Sequence, residues 1–281
     1  MPSKSRLGQN FLHDPQAIEH IAAALGSCAH RTVIEIGPGR GAITRAIAHR
    51  LDSAPESHLI AVELDPRLAE DLRIEFLARS LGSPSATALA TPSTVAIVQE
   101  SILHFDLHAA AAQAAAPLII VGNLPYYITS EILFYLAAHH TALDRAILMV
   151  QREVADRVTA QPGSSDYGIL SATLQLYGNV ERLFTLPPSA FTPPPEVHST
   201  VFRWHFAPRF TSLGVDEAPF IAFLRRCFAQ KRKTLNNNLR HADFTTAQID
   251  SAFASTQTPP QARAETLSLE AFAALWRALQ N

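Results

Sequence analysis

A run of β-branched and apolar residues, Thr32-Val-Ile-Glu-Ile, ends in Gly37-Pro-Gly-Arg-Gly41, after which Ile43, Ala46, Ile47 and Leu51 recur at helical spacing. A strand, a glycine turn and a helix in immediate succession form a nucleotide-cofactor turn, because glycines let a ligand approach the backbone closely. The pattern around it repeats. His58-Leu-Ile-Ala-Val-Glu-Leu-Asp65 reads as a second strand, followed by a helix from near Pro66 through Leu68, Leu72 and Phe76. Val95 to Gln99, Leu118 to Gly122 and Ala146 to Val150 read as further strands. Strands alternating with helices, several of them apolar throughout, require a mostly parallel sheet covered on both faces, an α/β, Rossmann-like class.

The flanks complete the outline. Asp14 and Pro15 form a helix start, and Ile18, Ile21, Ala22 and Leu25 carry an amphipathic helix to Gly26. Ala78 to Thr94, rich in Ser, Ala, Thr and Pro without a period, is expected to be a solvent loop. Val180 to Leu186 and Thr200 to Phe206 look like strands joined without a long helix, which suits an antiparallel edge hairpin. Beyond Pro208 the pattern is purely helical, with Phe220, Phe223, Leu224 and Phe228 on one face and Leu269, Phe272, Leu275, Trp276 and Leu279 on another. Two domains are therefore expected, 1–207 and 208–281. The second is small and helical.

The glycine spacing narrows the cofactor. Dinucleotide sites use Gly-x-Gly-x-x-Gly, where a helix N-terminus meets a pyrophosphate. Here it is Gly-x-Gly-x-Gly, preceded by Glu35. S-adenosylmethionine has no phosphate, so it tolerates that carboxylate, which suits its methionine ammonium end. Gly37 and Gly39 then form the cradle. Glu63, at the end of the second strand, is placed to accept two ribose hydroxyls, and Glu100, after the third, to accept from an adenine amine.

After the fourth strand comes Gly122-Asn123-Leu-Pro-Tyr126-Tyr127, with Thr129 or Ser130 read as the cap of the helix carrying Ile132, Leu133 and Leu136. An exocyclic adenine amine is a poor nucleophile, its lone pair delocalised into the ring. The Asn123 side-chain oxygen and the Leu124 carbonyl can each accept one of its N–H groups, favouring a pyramidal nitrogen. Pro125 stiffens that backbone, and Tyr126 offers a stacking face for a base drawn out of its helix. Phe191, opening Phe191-Thr-Pro-Pro-Pro-Glu-Val-His-Ser199, is expected to cover the opposite face.

Charge and composition set the partner. With 281 residues, 47% of them apolar, the chain can bury a substantial core, and its formal net charge of −2 gives no global attraction to a polyanion. One local patch does. Arg225, Arg226, Lys231, Arg232, Lys233 and Arg240 fall in a stretch, between Glu217 and Asp243, that has no acidic residue. Cys28 and Cys227 match neither a disulfide framework nor a zinc spacing, so no metal is expected. The N-terminus Met-Pro-Ser-Lys-Ser-Arg lacks a signal-peptide core and no apolar run has membrane-spanning length, so a soluble, cytoplasmic protein without a membrane partner is expected.

Taken with Gly8-Gln-Asn-Phe-Leu12, Gln151 to Arg157, Asp166-Tyr-Gly168, Gln230-Lys-Arg-Lys-Thr-Leu235 and Arg263-Ala-Glu-Thr-Leu267, these motifs make nearly the whole chain resemble the KsgA-type 16S rRNA adenine dimethyltransferases of the rRNA adenine N6-dimethylase family. The resemblance implies an S-adenosylmethionine methyltransferase sheet with a small helical RNA-binding domain. It implies Asn10, Leu12 and Asn123 as further cofactor contacts, and a monomer acting in small-subunit biogenesis on two adjacent adenines of the 3'-terminal hairpin. The sequence departs from the family at Glu100, usually aspartate, at Glu196, where lysine is common, and in a longer loop over Ala78 to Thr94. A 23S-directed relative fits the Gln230 to Leu235 element less well. A noncatalytic factor would not need Asn123, Pro125 and Tyr126 intact, and a nicotinamide oxidoreductase fails on the glycine spacing.

Overall fold

A computed structural model describes residues 10–81, 94–114, 116–241 and 244–280. Its strands are β1 (Phe11–Leu12), β2 (Thr32–Ile36), β3 (His58–Glu63), β4 (Thr94–Gln99), β5 (Leu118–Asn123), β6 (Leu143–Gln151), β7 (Gly178–Leu186), β8 (Phe191–Thr192) and β9 (Ser199–Phe206). The helices are α1 (Pro15–Ala24), α2 (Ala42–Leu51), α3 (Pro66–Leu81), α4 (Leu107–Gln113), α5 (Thr129–Ala138), α6 (Arg152–Thr159), α7 (Ile169–Tyr177), α8 (Phe210–Leu213), α9 (Glu217–Cys227), α10 (Leu235–Arg240), α11 (Thr246–Ser255) and α12 (Leu269–Gln280).

Seven strands form one sheet in the order β4-β3-β2-β5-β6-β9-β7. The pairs β2–β3, β3–β4, β2–β5 and β5–β6 are parallel, and β9 runs antiparallel to β6. The edge expected from Val180 to Leu186 and Thr200 to Phe206 is therefore β7 beside β9. Strand order reverses between β2 and β5, and at such a switch point the loops after the two strands part and leave a crevice at their carboxyl ends. The register aligns those ends: Ile36 lies opposite Val62 and Gly122, and Glu63 opposite Gln99.

Side-chain pattern explains the layers. Every residue of β2 is buried, as expected of a strand covered on both faces. Val33, Ile119, Val121, Ile147 and Met149 pack with Ile21 of α1, with Leu25 just after it, and with Ile43, Ile47 and Leu51 of α2. Leu72 and Phe76 of α3 pack with Ala48 and Val95. Asp14 starts α1 by accepting from the Gln16 and Ala17 N–H groups at 2.9 and 3.1 Å, with Pro15 in the first turn.

Two sequence readings shift. Helix α3 continues to Leu81, so the first part of the expected loop Ala78 to Thr94 is helical, and Thr94 already belongs to β4. The stretch 82–93 lies outside the described residues. At α5, neither Thr129 nor Ser130 caps the helix. Ile128 is the residue before it, and the Thr129 hydroxyl donates to the Pro125 carbonyl at 2.9 Å.

The chain divides into two compact units, 1–155 with 181–206, and 156–180 with 207–281. The second unit thus contains more than the residues after Pro208: the second half of α6 and all of α7 belong with the helical tail. Its core gathers Tyr167, Leu176, Phe220, Phe223, Leu224 and Phe272, with the Phe223 ring 5.1 Å from that of Trp276. Among the described residues no helix is long and apolar enough to cross a membrane.

Candidate active site

The crevice at the switch point is lined by the glycine turn, the ends of β3 and β5, Glu100 to Ile102, and Asn10 to Leu12. Gly37, Gly39 and Gly41 all take left-handed backbone, with φ of +62°, +57° and +77°, and a Cβ on Gly37 would meet nothing within 4 Å. The turn therefore presents open backbone to the cleft. Gly122 answers a different need: a Cβ there would lie 2.7 Å from the Ile36 carbonyl oxygen, so only glycine lets β5 run this close to β2.

Three carboxylates face the cleft. Glu63, 3% exposed, accepts from the Gly39 N–H and the Asp65 N–H, both at 2.9 Å, so it braces the glycine turn while its remaining lone pairs stay available. Glu35, 1% exposed, has an Oε2 atom with no hydrogen-bond partner among the described residues. Burial pushes its pKa from 4.5 up to about 8, and the negative charge of Glu63 pushes the same way. Glu100 is half-buried at the end of β4, its N–H donating to the Glu63 carbonyl at 3.0 Å.

The Asn123 turn is held by four hydrogen bonds. The Asn123 Nδ2 donates to the Asn10 carbonyl at 3.1 Å, and among the described residues Oδ1 has no donor. The Leu124 N–H donates to Met149 O at 2.9 Å. Thr129 fastens Pro125 from α5. The Tyr126 hydroxyl shares a 2.9 Å hydrogen bond with Ser199, and burial raises its pKa, so the ring stays neutral and fixed.

Asn10, Leu12, Gly37, Gly39, Glu63, Glu100, Asn123, Leu124, Pro125 and Tyr126 thus come together in one cleft. Phe191 does not. Its ring is 2% exposed and belongs to the sheet core, where β8 pairs antiparallel with β1 and sets Phe191 opposite Leu12. There Phe191 anchors the strap that carries Asn10 and Leu12 along the cleft. The proline-rich element contributes Ser199 instead. Sequence reasoning missed Ser199 and the Asn10 carbonyl, since neither a hydroxyl nor a backbone oxygen leaves a spacing signal. It also passed over Arg40 and Tyr127, which line the cleft and stand inside motifs already singled out.

A donor set of buried carboxylates, one amide and open glycine backbone suits a cationic methionyl nucleoside and repels a pyrophosphate. The unpartnered Glu35 oxygen and the uncovered Gly37 fit that group. Residues 2–281 match the model of the family described as ribosomal RNA adenine dimethylase. The chain belongs to the ribosomal RNA adenine dimethylase family. Like the rest of the family, it is a methyltransferase that modifies adenine in ribosomal RNA with S-adenosylmethionine as methyl donor. Among curated relatives, the ribosomal RNA small subunit methyltransferase A of Acidobacterium capsulatum is 52% identical, over 99% of this chain and 92% of that one. The protein of the same name from Koribacter versatilis is 45% identical, over 99% and 95%. Two solved structures share the fold at 22% identity. They are a dimethyladenosine transferase from Plasmodium falciparum, with a TM-score of 0.71 over 94% of this chain and 95% of that one, and the 23S rRNA methyltransferase ErmE, with 0.66 over 97% and 100%.

The six basic residues of the expected RNA contact lie in the second unit. Arg225 and Arg226 end α9, Lys231, Arg232 and Lys233 follow in the loop, and Arg240 ends α10. All six are exposed. The Lys231 Nζ reaches the Ser165 carbonyl at 3.3 Å, and buried Asn238 donates to the carbonyls of Cys227 and Gln230 at 2.7 and 3.3 Å, fixing the start of the loop.

Proposed function

We propose that this member of the family dimethylates N6 of two adjacent adenines in the 3'-terminal hairpin of 16S rRNA, on the small ribosomal subunit in the cytoplasm. The two full-length relatives named ribosomal RNA small subunit methyltransferase A support the choice of subunit. The observation that carries the chemistry is the Asn123 amide. Its nitrogen is committed to Asn10 O, so its oxygen is available to an incoming amine.

The donor supplies an electrophilic methyl group on a sulfonium. Glu63 takes the ribose hydroxyls on its spare lone pairs, Glu100 accepts from the adenine amine of the donor, and Glu35 balances the methionine ammonium. Gly37 and Gly39 admit the chain to the backbone, and Asn10 and Leu12 close over it. The target base stacks on Tyr126. Asn123 Oδ1 and the Leu124 carbonyl each accept one N–H of its amine, localising the nitrogen lone pair and directing it at the methyl group. The alkylated amine then loses a proton to water, so no strong base is required. Once one methyl is in place, a single N–H remains to be held while the second transfer occurs.

The exposed cations from Arg225 to Arg240 contact the RNA backbone, positioning the hairpin without reading its sequence. The cleft is complete within one chain, and the enzyme acts as a monomer. Labelled methyl transfer from S-adenosylmethionine to unmodified small subunits, naked 16S rRNA and 23S rRNA tests the assignment. Small subunits should be the best substrate by a wide margin, and preferential labelling of 23S rRNA would reject it.

A further inference from the structure

Two side chains at the rim of the cleft have no part in the chemistry above. Tyr127 follows Tyr126 in the short 3-10 helix Tyr126–Ile128, where three residues make a turn and successive side chains leave the axis about 120° apart. Tyr126 is therefore tied to Ser199, while Tyr127 lines the same cleft with its surface 57% exposed. Leaving an aromatic ring in water forgoes the gain of burying it. The second side chain is Arg40, inside the glycine turn. Its guanidinium lies 4.4 Å over the Phe11 ring, and it has no carboxylate partner among the described residues. Phe11 packs against the turn so tightly that a Cβ on Gly39 would come within 3.1 Å of it. The guanidinium is thus held on a rigid platform with its charge unanswered.

An open aromatic face and a pre-positioned guanidinium are the two chemistries that grip a single-stranded nucleotide, one for the base and one for the phosphate. Among the described residues Arg40 is also the one Lys or Arg lining a cleft that holds Glu35, Glu63 and Glu100. A polyanionic strand entering it meets three carboxylates and this one cation. Drawing an adenine out to reach Asn123 also strips its neighbour of a stacking partner. We propose that the rim is a second nucleotide subsite, in which Tyr127 stacks on the base next to the target adenine and Arg40 binds a phosphate of the same strand. The subsite rests on the rRNA reading above and extends it to substrate placement: the neighbour is gripped while the target reacts.

The test uses a hairpin RNA carrying the two adjacent adenines, one of them replaced by fluorescent 2-aminopurine. That analogue lacks the N6 amine, so it cannot be methylated or held by Asn123 and the Leu124 carbonyl, and the intact adenine is the better-held occupant of the target's place. Bound to the wild-type protein its emission should be quenched by stacking. It should brighten with Tyr127→Ala and stay quenched with Tyr127→Phe. Hairpin affinity should fall ~5- to 100-fold in Tyr127→Ala, the range for losing one stacked base. Arg40→Ala should lower the salt dependence of binding by about one phosphate contact. Calorimetric affinity for S-adenosylmethionine should stay within about twofold in all three variants. Unchanged emission and hairpin affinity in Tyr127→Ala would overturn the subsite, as would a loss in Arg40→Ala that falls on S-adenosylmethionine, which would assign the guanidinium to the donor's carboxylate. Methyl transfer by the wild-type enzyme to unmodified small subunits separates the two claims. If it proceeds while the rim variants match wild type throughout, the subsite alone is wrong. If it does not proceed, the rRNA reading falls and the subsite with it.

Discussion

Asn123 holds the strap at Asn10 through its amide nitrogen, and in the proposed reaction its oxygen meets the substrate. Asn123→Ala should lower the single-turnover methyl-transfer rate by ~10²-fold or more while S-adenosylmethionine affinity, measured by calorimetry, changes within several-fold. Glu63 braces Gly39 and Asp65, and the proposed reaction adds a role toward the ribose. Glu63→Ala should weaken S-adenosylmethionine binding by ~2 kcal/mol or more with RNA affinity unchanged, a split that paired titrations of the two ligands would read. Glu35 gives a pH signature. Between its ordinary 4.5 and its folded value of about 8, the ligand-free folded protein binds a proton that the unfolded chain has released. The contribution of this group to stability is therefore fully present below about 4.5 and is lost as pH rises to about 8, by up to ~1.4 kcal/mol per pH unit. Urea unfolding at several pH values should show that Glu35→Gln removes this part of the slope. The residues legible in the sequence were those whose type the chemistry dictates, an acid at a strand end or an amide after one. An aromatic beside prolines reads the same whether it faces a ligand or a core, so the place of Phe191 in the sheet core was not legible.

Among the elements, the parallel strands and the glycine turn were readable because β-branched runs and glycines report local needs directly. Helices α6 and α7 went unread although Val154, Ala155 and Val158, and Leu170, Leu174 and Tyr177, sit at helical spacing; each is short and abuts a strand. The continuation of α3 was hidden by small and polar residues that carry little periodic signal. Gly122 marks a close backbone approach between elements, β5 against β2. Gly122→Ala must move backbone away from the Ile36 carbonyl and should destabilise the fold by ~1–3 kcal/mol, read as a lower urea midpoint at unchanged slope. The Asn123 turn hangs from the same strand, so the methyl-transfer rate should fall with it.

At the scale of the whole molecule, a chain of net charge −2 that acts on RNA must concentrate its cations, and the second unit does so on one exposed stretch. Helical composition beyond Pro208 announced that unit. The share contributed by 156–180 was not announced, because membership in a unit is settled by long-range packing such as that of Tyr167 and Leu176. A variant with Lys231, Arg232 and Lys233 reversed to acids should bind small subunits far more weakly and with a smaller salt dependence, its S-adenosylmethionine affinity intact. The central claim is the identity of the modified nucleotides. The most direct measurement is mass-spectrometric mapping of 16S rRNA from a strain lacking this gene, complemented with the wild-type protein or with Asn123→Ala. Two adjacent N6,N6-dimethyladenosines in the 3'-terminal hairpin, restored by the wild type and absent with Asn123→Ala, are the predicted result; restoration by neither protein, or equal restoration by both, would contradict it.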